Sequence, residues 1–155
     1  MTILDSSGEF LREGLKGKPF MAKPNLDELE YVTGKALRTE LEIIDATKLI
    51  MKSGTQLVVE SQGAEGIIVI KNGCDTTWKA FVDKDKGNIP AIYKGSGDAL
   101  AAGFATGYLE NRDFPDILRL GVACGVANLL TPCPGDCNIK DIERFVLMVD
   151  VETID

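Results

Sequence analysis

The chain has 155 residues, of which 45% are hydrophobic and 26% charged, so it is long enough to close one globular core and we expect a single domain. Its 24 acidic and 17 basic side chains give a net charge of -7, which argues against binding nucleic acid or an anionic membrane through a broad basic face. The absence of histidine excludes Ser-His-Asp catalysis, Cys-His catalysis and His-ligated metals.

The first part of the chain alternates short strands with helices. We predict strands over residues 2–4 and 20–22, a helix over 9–15, a short helix that carries Leu26, Leu29 and Val32 and ends at Gly34, and an amphipathic helix over 38–52 with Leu41 and Ile44 on its apolar face. Residues 56–60 and 66–71 are rich in Val and Ile and predict central strands covered on both faces.

The remainder reads as a hairpin followed by helices. We expect the hairpin arms at residues 76–82 and 89–93, and helices over 97–111, 114–130 and 139–149. This order predicts an α/β fold with a mostly parallel sheet, in which ligands bind at the carboxyl ends of the strands. No apolar run is long enough to span a bilayer and the first residues lack a signal-peptide pattern, so we expect a cytoplasmic protein.

Four cysteines add little chemistry. Cys133 and Cys137 form the one close pair, with three residues between them, and neither Cys74 nor Cys124 supplies a second close pair. Because this spacing is a weak zinc signal, we interpret all four as free thiols.

The segment KGSGDALAAGFATGY is the sharpest functional signal. Gly95, Ser96 and Gly97 form a tight turn that leads directly into a helix, so backbone N–H groups and the helix dipole would converge on an anion. Asp98 follows in the first turn, where a carboxylate can take a proton from an attacking hydroxyl. The alternative is an ordinary capped helix with an acidic residue near its start.

Two further segments carry weaker signals. Asn25 and Glu28 in KPNLDELE lie at a predicted helix start and suit a hydrated Mg²⁺, but on spacing alone a helix cap is the favoured interpretation. The segment SQGAEG, from Ser61 to Gly66, allows the main chain to approach a nucleotide, although a strand-to-strand turn also needs glycine.

Five segments in this order resemble the C-terminal half of the PfkB (ribokinase-like) carbohydrate kinases. They are DSSGEFLREGL, KPFMAKPNLDELEYVTG, VVESQGAEGIIVIKNG, GSGDALAAGFATGYLEN and LGVACGVANLLTPCPGDCNIKDIERF. GSGD corresponds to the GAGD signature of the family, KPN-x-x-E to its magnesium and phosphate motif, and SQGAEG to its nucleotide-binding turn. The resemblance implies a ribokinase-like three-layer α/β sandwich.

The resemblance also implies roles for individual residues. Asp98 would be the catalytic base, and Gly95, Ser96 and Gly97 the anion hole. Asn25 and Glu28 would hold Mg²⁺ through water. The residues implied in ATP binding are Lys23, Ser61, Gly63, Gly66 and Asn128.

Within the family, the resemblance is closest to kinases of phosphorylated ketoses. It implies ATP-dependent conversion of fructose 1-phosphate to fructose 1,6-bisphosphate, with tagatose 6-phosphate as an alternative substrate. A non-catalytic nucleotide-binding or interaction module of the same fold is the other alternative. Family members bind the sugar mainly through an N-terminal half with a β lid, which this sequence does not contain. We therefore expect the chain to be inactive alone and to self-associate through an exposed sheet edge.

Overall fold

The computed structural model describes residues 1–83 and 95–154. Its strands are β1 (Ile3–Leu4), β2 (Met21–Ala22), β3 (Leu57–Ser61), β4 (Ile67–Lys71), β5 (Thr77–Val82) and β6 (Val149–Ile154). Its helices are α1 (Gly8–Leu15), α2 (Leu26–Thr33), α3 (Glu40–Met51), α4 (Ser96–Leu109), α5 (Phe114–Asn128) and α6 (Ile139–Val146). The strands lie in one sheet in chain order, which confirms the predicted α/β class.

The described residues group into two compact units. The first contains Met1–Gln62, Ile67–Lys79 and the end of β6. The second contains Gly63–Gly66 and the described part of Ala80–Glu152. The boundaries therefore run through strands β5 and β6.

The sheet is mixed rather than parallel throughout. Strands β1, β2 and β3 pair in parallel, with Ile3 opposite Met21 and Met21 opposite Leu57. Strands β3 and β4 pair in antiparallel, from Leu57 opposite Lys71 to Ser61 opposite Ile67. Only the short turn 62–66 joins them, and a parallel crossover needs a dozen or more residues, so the chain has to reverse here.

The first unit has its core between helices and sheet. One buried cluster joins α1, α2 and α3 to β2 and β3 through Leu11, Leu15, Ala22, Leu29, Leu37, Ala46, Ile50 and Val58. A second joins Ile44 of α3 to Ile68 and Ile70 of β4. The predicted burial of Leu41 was wrong, because its side chain is 68% exposed. It lies on the same face of α3 as the exposed residues Asp45 and Lys48.

Helices α4 and α5 of the second unit pack with their backbones almost touching. A Cβ atom on Gly103 would lie 2.8 Å from Cα of Gly121 and 2.9 Å from the carbonyl oxygen of Leu120. One on Gly121 would lie 2.4 Å from ring atoms of Phe104. The alanine- and glycine-rich composition of these helices is therefore explained by close approach.

The end of the chain differs from the prediction. Helix α6 ends at Val146, and Val149–Ile154 forms strand β6, so the expectation of a helix to residue 149 and a wholly helical last third was wrong. Val149 is buried while Asp150 and Glu152 are exposed, which is the alternation of a half-buried strand. The predicted hairpin arm at 89–93 lies outside the described residues. Among the helices of the described ranges, none is long and apolar enough to cross a membrane.

Candidate functional site

The KPN segment lies where two parallel strands end. The Ser61 N–H donates to the carbonyl oxygen of Pro24 at 2.9 Å, and Asn25, beyond the end of β2, pairs with Ser61, the last residue of β3, in an isolated parallel bridge. Two residues predicted for different roles, Asn25 and Ser61, are thus brought side by side. They lie at the carboxyl edge of the parallel strands, where ligands bind in α/β folds.

Asn25 and Glu28 form a capping box at the start of α2. The Glu28 N–H donates to Oδ1 of Asn25 at 2.9 Å, and the Asn25 N–H donates to Oε2 of Glu28 at 2.9 Å. The capping interpretation of this pair is therefore correct. The second carboxylate oxygen, Oε1 of Glu28, takes no part in the box. Within residues 1–83 and 95–154, no group of three or more Asp, Glu or Cys side chains is arranged to hold a metal ion.

Lys23 is buried and already has a partner. Its side chain is 6% exposed, and its Nζ lies 3.2 Å from Oδ2 of Asp5, just beyond β1. The Lys23 N–H donates to the carbonyl oxygen of Leu4 at 3.0 Å. The positive charge that was predicted to approach a phosphate is therefore paired with Asp5.

The turn between β3 and β4 uses both of its predicted glycines. Gly63 has φ +59° with nothing near its Cβ position, so only the left-handed backbone favours glycine there. Gly66 has φ +91°, and a Cβ atom on it would lie 2.2 Å from the carbonyl oxygen of Ala80 and 2.7 Å from Cβ of Phe81. The structural need for Gly66 is therefore independent of any nucleotide.

Glu60 is a chemically unusual residue that the sequence-based interpretation missed. It directly precedes Ser61, is 0% exposed, and neither carboxylate oxygen has a hydrogen-bond partner among the described residues. Burial raises the pKa of the Glu60 carboxyl to about 7, although nearby Gln62 and the Lys79 ammonium act in the opposite direction. Lys79 itself forms an ion pair with Glu40. A charged residue within an apolar Val/Ile run was the available signal.

The GSGD segment forms the beginning of α4. Gly95 is the N-cap residue in the left-handed conformation, with φ +84°, and Ser96 and Gly97 are the first two helical residues. The first backbone bond of the helix runs from the Ala99 N–H to the Gly95 carbonyl oxygen at 3.3 Å. Asp98 lies in the first turn with an exposed side chain. First-turn N–H groups have no acceptor within their own helix, so this end is suited to an anion.

Asn128 lies at the end of α5 and is 1% exposed. Its Nδ2 donates to the carbonyl oxygens of Cys133 and Asp136, at 3.0 and 2.8 Å. Its Oδ1 is buried without a hydrogen-bond partner among the described residues and lies 3.1 Å from the position that a Cβ on Gly95 would take. The structure thus brings Asn128 together with the Gly95 turn, while its ATP role stays a prediction.

Burial makes two cysteine thiols of the second unit, those of Cys124 and Cys137, less acidic than usual. All four cysteines of the chain are free thiols, as predicted. Burial raises the pKa of the Cys124 thiol to about 11, and burial also raises that of Cys137. The Cys137 thiol donates to the carbonyl oxygen of Cys124 at 3.4 Å, which ties the chain after the Pro/Gly-rich loop to α5.

The mixed sheet with its helices is the architecture of the ribokinase-like α/β kinases. A ribokinase from Arabidopsis thaliana complexed with ribose and ATP shares this fold, with a TM-score of 0.72 at 21% identity over 87% of this chain and 43% of its own. Phosphofructokinase-2 from Escherichia coli in complex with potassium has a TM-score of 0.82 at 26% identity, over 94% of this chain and 46% of its own.

The chain belongs to the pfkB family of carbohydrate kinases, whose family model matches residues 1–141. A 1-phosphofructokinase from Borreliella burgdorferi is 33% identical to it over 153 residues, which cover 98% of this chain and 48% of that protein. The chain thus spans about half the length of the relatives it matches. The predicted family and fold are confirmed.

Proposed function

We propose that the chain provides the ATP-binding portion of a sugar-phosphate kinase that converts fructose 1-phosphate to fructose 1,6-bisphosphate. The observation that carries this proposal is the identity of 33% to a 1-phosphofructokinase over 98% of the chain. Tagatose-6-phosphate kinase activity is the alternative, because the family match does not define the sugar. The proposal includes a cytoplasmic location.

In this proposal, the start of α4 binds the transferred phosphoryl group. The backbone N–H groups of the Gly95–Ser96–Gly97 turn would bind its oxygens, supported by the positive end of the helix dipole. The exposed carboxylate of Asp98 would accept the proton of the acceptor hydroxyl as that oxygen bonds to phosphorus and ADP leaves. A net charge of -7 is compatible with ATP because these donors belong to the backbone.

The capping box of α2 is proposed as the magnesium-binding element. Oε1 of Glu28, which takes no part in the capping box, would accept hydrogen bonds from metal-bound water. Asn25 would fix the direction of that carboxylate. When bound, Mg²⁺ offsets the negative charge of the phosphate oxygens. The remaining proposed ATP contacts are Lys23, Ser61, Gly63, Gly66 and Asn128.

Calorimetric titration with Mg·ATP, paired with a coupled ADP-release assay, tests the proposal. We expect weak binding of Mg·ATP to the chain and no turnover of fructose 1-phosphate or tagatose 6-phosphate by the chain alone. Rapid turnover would contradict the need for further sugar-binding residues. A folded chain that binds no nucleotide would favour the alternative of a non-catalytic interaction module.

Asp98→Asn tests the base. Introduced into an active kinase that contains this sequence, it should lower kcat by about 100-fold or more while leaving ATP affinity within a factor of about three. Asp116→Asn is the matched control, because Asp116 is also an exposed first-turn aspartate, at the start of α5. An Asp98→Asn enzyme as active as the control would overturn the assignment.

A further inference from the structure

The loop between α5 and α6 contains a tight turn at residues 133–136, here called the CPGD turn. The Asp136 N–H donates to the carbonyl oxygen of Cys133 at 3.2 Å, which closes the turn. Pro134 occupies its second position, and Gly135 at the third has φ +77°. This combination is that of a type II turn, whose backbone is among the most restricted available to a loop.

The CPGD turn is clamped at both ends by one buried side chain. The two Nδ2 protons of Asn128 go to the carbonyl oxygens of Cys133 at 3.0 Å and Asp136 at 2.8 Å. The Thr131 hydroxyl lies 2.8 Å from the same Asp136 oxygen and 2.9 Å from the carbonyl oxygen of Asn128. Since a hydroxyl has one proton, Thr131 donates to one of them at a time and reinforces the clamp from the side.

The clamped turn rests directly on the first residue of the proposed anion hole. A Cβ atom on Gly95 would lie 2.5 Å from Cβ and 2.6 Å from Cα of Pro134. Distances this short leave no room for a side-chain carbon between the proline and the Gly95 backbone. Gly95 is therefore required both by its left-handed φ of +84° and by the proline against it.

The side-chain oxygen of Asn128, which has no hydrogen-bond partner among residues 1–83 and 95–154, also lies next to Gly95. Because both Nδ2 protons are held by the turn, the amide orientation is fixed and Oδ1 faces Gly95, 3.1 Å from its Cβ position. Burying an acceptor without a partner costs about 1–3 kcal/mol. Such a cost is tolerated where the surrounding contacts hold the side chain in one position.

We propose that Asn128, Thr131 and Pro134 are positioning residues for the start of α4. Asn128 and Thr131 fix the CPGD turn, and Pro134 transmits that position to Gly95, so the N–H groups of Ser96 and Gly97 are held in one arrangement before a ligand arrives. The identity of the ligand rests on the proposed function, whereas the mechanical link from Thr131 to Gly95 does not.

Mg·ATP titration of three variants tests the link through affinity. Thr131→Val keeps the shape and removes the hydroxyl, and we expect it to weaken Mg·ATP binding about threefold to tenfold, as for the loss of one hydrogen bond. Thr131→Ser, which restores the hydroxyl, should bind within about twofold of the unmodified chain. Asp136→Ala is the control, because the clamp uses only the main-chain oxygen of that residue.

Backbone amide resonances of Gly95, Ser96 and Gly97 in the ligand-free chain give the second readout. They should move in Thr131→Val and in Pro134→Gly, and stay in place in Thr131→Ser and Asp136→Ala, with thermal unfolding confirming that each variant is folded. Unchanged resonances in Thr131→Val and Pro134→Gly would overturn the inference. Absence of Mg·ATP binding by the unmodified chain would instead count against the proposed function. The amide resonances would still test the mechanical link from Thr131 to Gly95, because they are measured without ligand.

Discussion

Glu60 shows at the scale of one residue how burial changes the energetics of folding. Burial raises the pKa of its carboxyl from an ordinary value of 4.5 to about 7 in the folded chain. The folded state therefore prefers the protonated form. Stability from this group is fully present below the unfolded pKa and is lost as the pH rises through about 7.

We predict that Glu60→Gln stabilises the chain increasingly as the pH rises. The amide mimics the neutral carboxyl, so the variant should gain up to roughly 3 kcal/mol of unfolding free energy over the unmodified chain between pH 4.5 and 8, from the size of the pKa shift. Denaturant unfolding at pH 4.5 and pH 8 measures the difference.

Glu42→Gln is a control for which the pH dependence of stability should have the opposite sign. The pKa of Glu42 is lowered, first by the backbone N–H of Arg38 and then by that of Thr39, so its contribution is present above the unfolded pKa and is lost as the pH falls. This variant should therefore lose stability relative to the unmodified chain at neutral pH and approach it in acid. A Glu60→Gln variant with no pH-dependent gain would contradict the raised pKa of the Glu60 carboxyl.

We predict that alanine substitutions at two glycines of one turn lower the unfolding free energy by unequal amounts. Gly66→Ala places a methyl group 2.2 Å from the Ala80 carbonyl oxygen in a left-handed backbone, and should lower the unfolding free energy by about 3 kcal/mol or more. Gly63→Ala has the same kind of backbone but open space, and should cost only about 1 kcal/mol. Thermal unfolding compares them, and equal costs would contradict the contact with β5.

At the scale of elements, the two capping boxes of the first unit allow the effect of a helix cap on stability to be distinguished from a role in nucleotide binding. Asn25 caps α2 and Thr39 caps α3 by the same reciprocal bonds. We predict that Asn25→Ala and Thr39→Ala each lower the unfolding free energy by about 1 kcal/mol. Only Asn25→Ala should also weaken Mg·ATP binding, measured by calorimetry at saturating Mg²⁺. Equal nucleotide affinities of the two variants would reduce Asn25 to a helix cap.

Most elements could be predicted because their boundaries have local chemical causes. Helix α2 begins at the capping box of Asn25 and ends before Gly34, whose φ is +69°. Strand β6 was missed because its alternation follows directly on the amphipathic α6, without an intervening glycine or proline. The reversal between β3 and β4 depends on the length of their connection, and the Val/Ile pattern alone does not distinguish parallel from antiparallel strands.

The candidate site could be predicted only in part, because some of its contacts join residues that are far apart in the sequence. GSGD and N-x-x-E are local patterns, so Gly95, Asp98, Asn25 and Glu28 were recognisable in the sequence. The contact of Pro134 with Gly95 joins residues far apart in the chain and has no local signature. Glu60 had a signal, but its enclosure depends on the strands and helices around it.

At the scale of the whole molecule, the sheet ends in two different edges. Strand β1 is the first strand of the order and has only the apolar residues Ile3 and Leu4. Strand β6 is the last and exposes Asp150 and Glu152, charges that discourage pairing with another chain. We therefore propose that self-association of the chain uses the β1 edge.

Light scattering of two edge variants checks this proposal. The unmodified chain should be a dimer or larger, Ile3→Lys should be monomeric because the added charge disfavours strand addition, and Val151→Lys in β6 should associate like the unmodified chain. A monomeric unmodified chain, or equal loss of association in both variants, would contradict the use of β1.

The close approach of Gly103 to Gly121 has a mechanical consequence for the start of α4. Gly103 lies five residues after Asp98, which at 1.5 Å per residue places the closely packed backbones about 7.5 Å along the helix axis from the backbone of Asp98. Because a carbon added to Gly103 would lie 2.8 Å from Cα of Gly121, the two helices pack backbone to backbone at this point. We expect this close packing to limit the movement of the start of α4 relative to α5.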